Sequence, residues 1–134
     1  MNQLYISAKQ LLLEAQLNWP SDPIYGVLLD NTFYTFSPNH ASLADIPTVA
    51  RIESSDYLTG RTALNGAADA DDLPFDPILG GPIITSMILV KDGGADIDSK
   101  LIAYIDQAVN LPYTPDGRQI VVQWDNGPNR IFHV

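Results

Sequence analysis

The pattern of hydrophobic and polar positions changes once along the chain, near Pro20. Before that point apolar side chains recur at helical spacing, at Leu4, Ala8, Leu11, Leu12 and Ala15. Asn2 is placed to cap the first turn, and Pro20 ends the helix because the residue before a proline is pushed out of the helical region. The pattern therefore predicts one amphipathic helix of about a dozen residues within residues 1–19.

Beyond Pro20, apolar residues alternate with polar ones or form short runs that Gly, Pro, Asn and Asp separate. The runs cover 24–30, 32–36, 48–54, 83–92, 101–106, 119–124 and 130–134. Because no helical segments separate these runs, antiparallel pairing is favoured over alternating strand and helix units. The sequence predicts an α+β, mainly β fold, in which an N-terminal amphipathic helix is followed by an antiparallel sheet or sandwich of short strands.

Three connections between the runs carry turn signals. Residues 57–82 are rich in Gly and Pro and predict a long loop excursion, unless they form short strands or contact a partner. Residues 90–101 predict a hairpin connection, with Gly93 and Gly94 at left-handed turn positions. The stretch "DNGPN" at 125–129 predicts a turn that joins the last two strands into a hairpin, and a sheet or another molecule must hold that hairpin if the terminus is not to fray.

The size and composition are those of one globular domain. The 134 residues fit a single domain, 1–134, made of the helix region 1–19 and a β-rich body 20–134. Cysteine is absent, which excludes disulfides and thiolate metal sites. The longest apolar runs fall short of the roughly 20 residues that a membrane span needs, and the N-terminus lacks a basic stretch followed by a hydrophobic core. We therefore expect neither a membrane interaction nor secretion.

The charge balance argues against nucleic acid as a partner. The formal net charge is −9, and the chain carries only seven Lys and Arg residues. Nucleic-acid affinity rests largely on basic side chains that displace counterions from phosphates. An acidic chain of this kind is repelled by phosphates, so we expect no nucleic-acid binding.

The sequence carries no recognisable catalytic signature. No serine lies in a nucleophile elbow, and the two histidines, His40 and His133, are not in a metal-ligand pair. His40 is expected to stabilise a loop by hydrogen bonding, and His133 to face outward on the terminal strand. We therefore expect a protein that is not an enzyme and needs no cofactor.

Aspartates form two clusters in predicted turns. They are Asp69, Asp71 and Asp72 in the first, and Asp92, Asp96 and Asp98 in the second. Several flexible oxygen ligands of this kind suit hard cations such as Ca²⁺, but neither cluster matches the twelve-residue calcium loop with its closing glutamate. We interpret them as solvated turn residues and predict no metal site. Cation binding, or pairing with basic residues of a partner, is the alternative.

Several motifs, in their order along the chain, resemble a family of small virion structural proteins of tailed bacteriophages. The resemblance covers nearly the whole length. It rests on "LNW" at the end of the helix, "IYGVLLD", a Tyr followed by His and "L-x-DIP" (Tyr34, His40, Leu43 to Pro47), "RI-x-S", "LTGRT", "GAADADD-x-x-F", "LVKDGG", "S-x-LIAYID", "LP-x-TP-x-G" and "WDNG-x-x-x-IF". The chain departs from the expected pattern at Tyr57, where a small residue is expected, and in the proline-rich stretch 72–85.

The resemblance implies a capsid decoration or cement protein on the surface of the virion. Such a protein is made in the cytoplasm of the host bacterium, binds the outer surface of the major capsid protein and stabilises the shell. A dimer or trimer is expected, because symmetric assembly favours homo-oligomers. From their position, the candidate contact residues are Arg61, Asp69, Asp71, Asp72 and Phe75 in the 57–82 excursion. Trp19 is assigned to the core or to a self-interface.

Two other functions remain open at the level of the sequence. The first is a head-tail joint or tail component of the virion, present in few copies per particle. The second belongs to a different class: a calcium-dependent carbohydrate-binding module or small enzyme that uses the Asp-rich loops.

Overall fold

One short helix and ten strands form the part of the chain that the computed structural model describes, residues 2–124 and 130–133. The elements are β1 (Gln3–Leu4), α1 (Ile6–Leu13), β2 (Ile24–Leu29), β3 (Arg51–Tyr57), β4 (Thr62–Leu64), β5 (Ala67–Asp69), β6 (Leu73–Phe75), β7 (Ser86–Lys91), β8 (Lys100–Ile105), β9 (Ile120–Val122) and β10 (Phe132–His133). Every strand pairing is antiparallel. The predicted α+β, mainly β fold class is confirmed.

A five-stranded sheet in the order β1-β8-β7-β2-β3 forms the centre of the fold. Two smaller sheets accompany it, one in the order β10-β5-β4 and one formed by β6 and β9. The three inner strands β2, β7 and β8 are almost entirely buried. Strands covered on both faces read as continuous apolar runs, which is why the sequence identifies these three.

Alternate residues of β2 belong to two hydrophobic clusters. Ile24 and Leu28 join the larger cluster, whereas Val27 and Leu29 join the smaller one. The larger cluster includes side chains from the helix and from both small sheets: Ala8, Trp19, Ala68, Phe75, Ile120, Val122, Trp124 and Phe132. The smaller cluster is covered by the connection between β2 and β3, through Tyr34, Leu43, Ile46 and Ala50. The central sheet is therefore packed on both faces.

The helix is shorter than the spacing predicts. It begins at Ile6 with Tyr5 as N-cap and ends at Leu13. Asn2 does not cap it: its side-chain amide donates to the carbonyl oxygens of Gln107, at 3.2 Å, and Ile131, at 2.8 Å. The residues just before the helix pair as β1 with β8, so the backbone at the N-terminus joins the central sheet instead of the helix.

Residues 32–36 do not form the predicted strand. They belong to an irregular connection that includes short 3-10 turns at Leu43–Asp45 and Thr48–Ala50. The side chain of Asp30 accepts a hydrogen bond from the backbone N–H of Thr32 at 2.9 Å and turns the chain after β2. The alternation in this stretch reflects Tyr34 and Phe36 packing on the smaller cluster, not a strand ladder.

The predicted long excursion at 57–82 contains structure of its own. Strands β4, β5 and β6 lie within it, and β4 pairs directly with β5. The interpretation as a loop is therefore wrong, and the alternative of short strands is confirmed. Three-residue strands are too short to give a clear period in sequence.

The last two strands do not form a hairpin with each other. β9 pairs with β6, and β10 pairs with β5 in a different sheet. The predicted turn at 125–129 lies outside the described residues, as does the side chain of His133. The backbone N–H of Ile131 donates to the carbonyl of Ala68 at 2.9 Å, so strands of the same chain hold this terminal segment.

The predicted hairpin connection at 90–101 is present between the paired strands β7 and β8. Gly94 has a φ of 91° and occupies the expected left-handed position. Gly93 does not, and its role is steric, since a Cβ there would lie 2.1 Å from the carbonyl oxygen of Asp98. No helix in the described part of the chain is long and apolar enough to cross a membrane.

Candidate functional site

Strand β3 is an open edge of the central sheet. One side pairs with β2, and no described strand pairs with the other. Ser54, Asp56 and Tyr57 are exposed along it. An edge strand presents unpaired backbone groups and is a natural place for contact with another chain. This edge is the best-defined candidate contact surface of the described residues.

Two register shifts interrupt the pairing of β2 with β3. Tyr25 lies opposite Tyr57 and Val27 opposite Ser54, so β3 has one residue more than β2 over this interval. The hydroxyl of Ser55 fills the gap in the ladder, because its Oγ accepts from the N–H of Gly26 at 2.8 Å and donates to the carbonyl of Asp56 at 2.7 Å. Such bulges bend a strand and change the direction of its side chains.

An open cleft of about 640 Å³ lies at this bulged edge. It is lined by Tyr25, Ser54, Ser55, Asp56, Tyr57 and Asp92. The rings of the two tyrosines pack at a centroid distance of 6.5 Å and an interplanar angle of 43°. The side chain of Tyr57 remains 52% exposed, so one large aromatic surface is accessible to a partner. We call these six residues the edge cleft.

Hydrogen bonds fix one end of the edge cleft. The hydroxyl of Tyr57 donates to Asp92 Oδ2 at 2.5 Å, and the backbone N–H of Gly94 donates to Asp92 Oδ1 at 2.9 Å. The hydrogen bond to Asp92 raises the pKa of Tyr57, and the same bond together with that from Gly94 lowers the pKa of Asp92. Burial, then the charges of Asp92 and Asp96, raises the pKa of Tyr25. At neutral pH the two tyrosines are therefore uncharged and Asp92 is a carboxylate.

The predicted contact residues of the 57–82 region do not form one exposed patch. Phe75 is only 2% exposed and belongs to the larger cluster, so its assignment to a contact surface is wrong. Trp19 is 5% exposed and packs edge-on against Phe132, which agrees with its assignment to the core. The indole N–H of Trp19 also contacts the carbonyls of Thr62, at 3.0 Å, and Asp69, at 3.2 Å.

Three of the four charged residues predicted as contacts in that region contact their own chain. The guanidinium of Arg61 donates to the carbonyl of Asp22, and burial lowers its pKa. Asp69 lies 3.8 Å from Arg130, and Asp71 accepts a hydrogen bond from the hydroxyl of Thr59 at 3.2 Å. Asp72 is exposed. These contacts stabilise the β4–β5 region.

The second Asp cluster also does not converge. Asp92 belongs to the edge cleft, whereas Asp96 pairs with Arg51 at 2.9 Å and Asp98 is exposed at the end of a 3-10 turn. Among residues 2–124 and 130–133, no group of three or more His, Asp or Glu side chains is arranged to hold a metal ion.

A chain of hydrogen bonds connects the buried core to His40. The hydroxyls of Tyr5 and Tyr34 lie 2.8 Å apart, and the hydroxyl of Tyr34 lies 2.9 Å from His40 Nδ1. Burial raises the pKa of both tyrosines, so both stay neutral at physiological pH. The predicted loop-stabilising role of His40 is confirmed, and the chain of bonds holds the β2–β3 connection on the sheet.

Sequence reasoning missed the edge cleft. The one sequence feature that pointed to it is Tyr57, an aromatic residue at a position where the resemblance leads us to expect a small one. The contact with Asp92 joins residues 35 positions apart and depends on the bulge, which a linear pattern does not reveal. In comparisons with known proteins, no family model and no curated protein matched the chain.

Proposed function

We propose that this chain is a structural protein of a tailed-bacteriophage virion, a capsid decoration or cement protein that binds the outer surface of the major capsid protein. The ordered series of motifs from "LNW" to "WDNG-x-x-x-IF" supports the family assignment. The structural observation that best supports this role is the edge cleft, which offers an accessible contact surface. The sheet that bears the cleft is packed on both faces. In this proposal the protein is not an enzyme, has no cofactor and binds neither nucleic acid nor membrane.

The geometry of the edge suits repeated contact with a lattice. The cleft is on β3, which pairs with β2, and β2 and the next strand β7 are almost fully buried, so the cleft lies on a well-packed support. Tyrosine is favoured at interfaces because its ring supplies a large contact area, and Tyr57 is accessible there. Many copies of a modest contact act together on a rigid shell, because each bound site raises the effective concentration of the next.

Self-association is part of the proposal. We propose a dimer or trimer, and large exposed side chains that do not line the edge cleft, such as Leu13, Leu64 and Leu79, supply apolar surface for it. Light scattering on the purified protein should give two or three times the mass of one chain. A mass equal to that of one chain at micromolar concentration would contradict this part.

Copy number tests the role itself. Purified protein is added to phage particles or empty shells that lack it, unbound protein is removed by sedimentation, and the bound copies are counted by quantitative gel analysis. Decoration predicts on the order of hundreds of copies per shell, because avidity on the lattice favours every equivalent site. A few copies per particle would assign the protein to the head-tail joint or tail, and no binding would overturn the virion role.

A further inference from the structure

We propose that the edge cleft binds a lysine or arginine side chain of the partner protein. The aromatic rings of Tyr25 and Tyr57 would lie on one side of the cation, and the carboxylates of Asp56 and Asp92 on the other. The partner's identity as the capsid subunit rests on the proposed function. The chemistry of the cleft does not depend on it.

The charge of the cleft points to a cation. Asp92 is a carboxylate at neutral pH, and Asp56 is an exposed acidic residue that lines the same cleft. Arg51 pairs with Asp96 at 2.9 Å, and Lys91 pairs with Asp22 at 3.2 Å. Lys91 and Lys100 line a separate pocket that also touches Asp92, and neither lines the edge cleft. The edge cleft is therefore lined by two acidic residues and by no basic one, which favours an external cation.

The tyrosines supply the second half of the site. A cation within about 6 Å of an aromatic ring is attracted by the negative face of that ring. The phenol of Tyr57 is already fixed by its 2.5 Å hydrogen bond to Asp92, so little side-chain freedom is lost when a partner binds. Arginine suits such a site especially well, because its planar guanidinium stacks on a ring while it donates to a carboxylate.

The same edge is poorly suited to a full added strand. Two register shifts interrupt its ladder, and Glu53 and Asp56 place charges along it. Bulges and charges are the devices by which edge strands avoid continuous pairing. A second copy of this chain is also disfavoured there, because the net charge is −9 and like charges would meet. A basic side chain on a short exposed segment of a partner fits both constraints.

The cleft can be tested without a capsid. The probe is the capped peptide Gly-Ser-Arg-Ser-Gly, compared with the same peptide in which neutral citrulline replaces arginine, by two-dimensional NMR on the ¹⁵N-labelled protein. The arginine peptide should shift the amide signals of Ser54, Tyr57 and Asp92 in a saturable way. The citrulline peptide should bind about fivefold more weakly or not at all, because it lacks the charge.

Matched variants locate the binding. Asp56→Asn and Tyr57→Ala should each weaken the arginine peptide by roughly threefold to fivefold, since each removes one of the two attractions. Asp72→Asn removes the same charge from an exposed position outside the cleft and should leave the affinity unchanged. Thermal melting confirms that each variant is folded. Equal binding of both peptides, or equal binding by Asp56→Asn, Tyr57→Ala and Asp72→Asn, would overturn the proposal.

Binding to shells separates this inference from the proposed function. If the protein decorates shells and Asp56→Lys abolishes decoration while Asp72→Lys does not, both proposals are supported. Decoration that is unchanged by Asp56→Lys would overturn the cation site and leave the virion role intact. Peptide binding without any decoration of shells would overturn the virion role and leave the cation site intact.

Discussion

At the scale of single residues, Gly26 lies on β2 and faces side chains of the larger cluster. A Cβ added there would lie 2.5 Å from Met87 Cε and 2.8 Å from Leu73 Cδ2. Both neighbours are ends of flexible side chains, but they are packed in the core and must shift. We expect Gly26→Ala to lower the free energy of unfolding by about 1–3 kcal/mol through overpacking, measured by urea denaturation.

Gly80→Ala is the control for this substitution. No atom lies within 4 Å of a Cβ added at Gly80. Its effect should stay within about 0.5 kcal/mol, as for most surface substitutions. Equal losses for the two variants would contradict the packing described around Gly26.

Asp45 gives a prediction about acid stability. Its Oδ2 accepts hydrogen bonds from the backbone N–H groups of Ala41, at 2.8 Å, and Ser42, at 3.2 Å, and these bonds lower its pKa. A carboxyl whose pKa is lower in the folded than in the unfolded state stabilises the fold above its unfolded pKa, and this stabilisation is lost as the pH falls through the folded pKa. Asp45→Asn should therefore reduce the loss of stability between pH 7 and about pH 3.

The measurement is urea denaturation at both pH values. Asp72→Asn, which removes the same charge from an exposed side chain that accepts no hydrogen bond from any described residue, is the matched control. If the wild-type protein and Asp45→Asn lost the same stability on acidification, the hydrogen bonds to Asp45 would carry no part of the acid dependence.

At the scale of elements, β10 tests whether the terminal segment is part of the core. Phe132 is 6% exposed, and its ring meets that of Trp19 at 5.2 Å in an edge-on arrangement. Phe132→Ala should cost about 3–5 kcal/mol, because it removes a buried ring and leaves a cavity. Phe33→Ala, at a position that is 54% exposed, should cost less than about 1 kcal/mol. A similarly small effect at Phe132, read from chemical denaturation, would contradict the docking of β10.

The elements also explain how much of the fold the sequence can predict. β2, β7 and β8 are predictable because burial on both faces makes them continuous apolar runs. The partners of β9 and β10 are not, because pairing with β6 and β5 depends on tertiary packing over long separations rather than on the nearest turn. The strand predicted at residues 32–36 is absent for a related reason. Apolar and polar side chains can alternate in sequence where an irregular segment packs on the core, without forming a strand.

The candidate site follows the same rule. The sequence identifies the Asp-rich segments and places His40 correctly in a hydrogen-bonded loop. It does not bring Tyr57 to Asp92, because their contact requires the β2–β3 bulge and the neighbouring end of β7. The spacing of apolar residues in the turn-rich stretch around Phe75 does not show whether its side chain is buried or exposed. In the structure it is buried.

At the scale of the whole molecule, the central sheet is packed on both faces, and its edges are the places where a partner can meet it. Its two outer strands are β1 and β3. Only two residues form β1, whereas β3 has seven and carries the edge cleft. In the proposed contact with a capsid, we therefore expect β3 to be the strand that faces the shell.

We propose that this protein binds the outer surface of a phage capsid through β3. The most direct measurement is a cryo-electron microscopy map of shells decorated with the purified protein, at a resolution that shows side chains. We expect regular density across the shell, with β3 facing the capsid subunit and a basic side chain between Tyr57 and Asp56. Density confined to one vertex, or regular density in which β3 faces solvent, would contradict it.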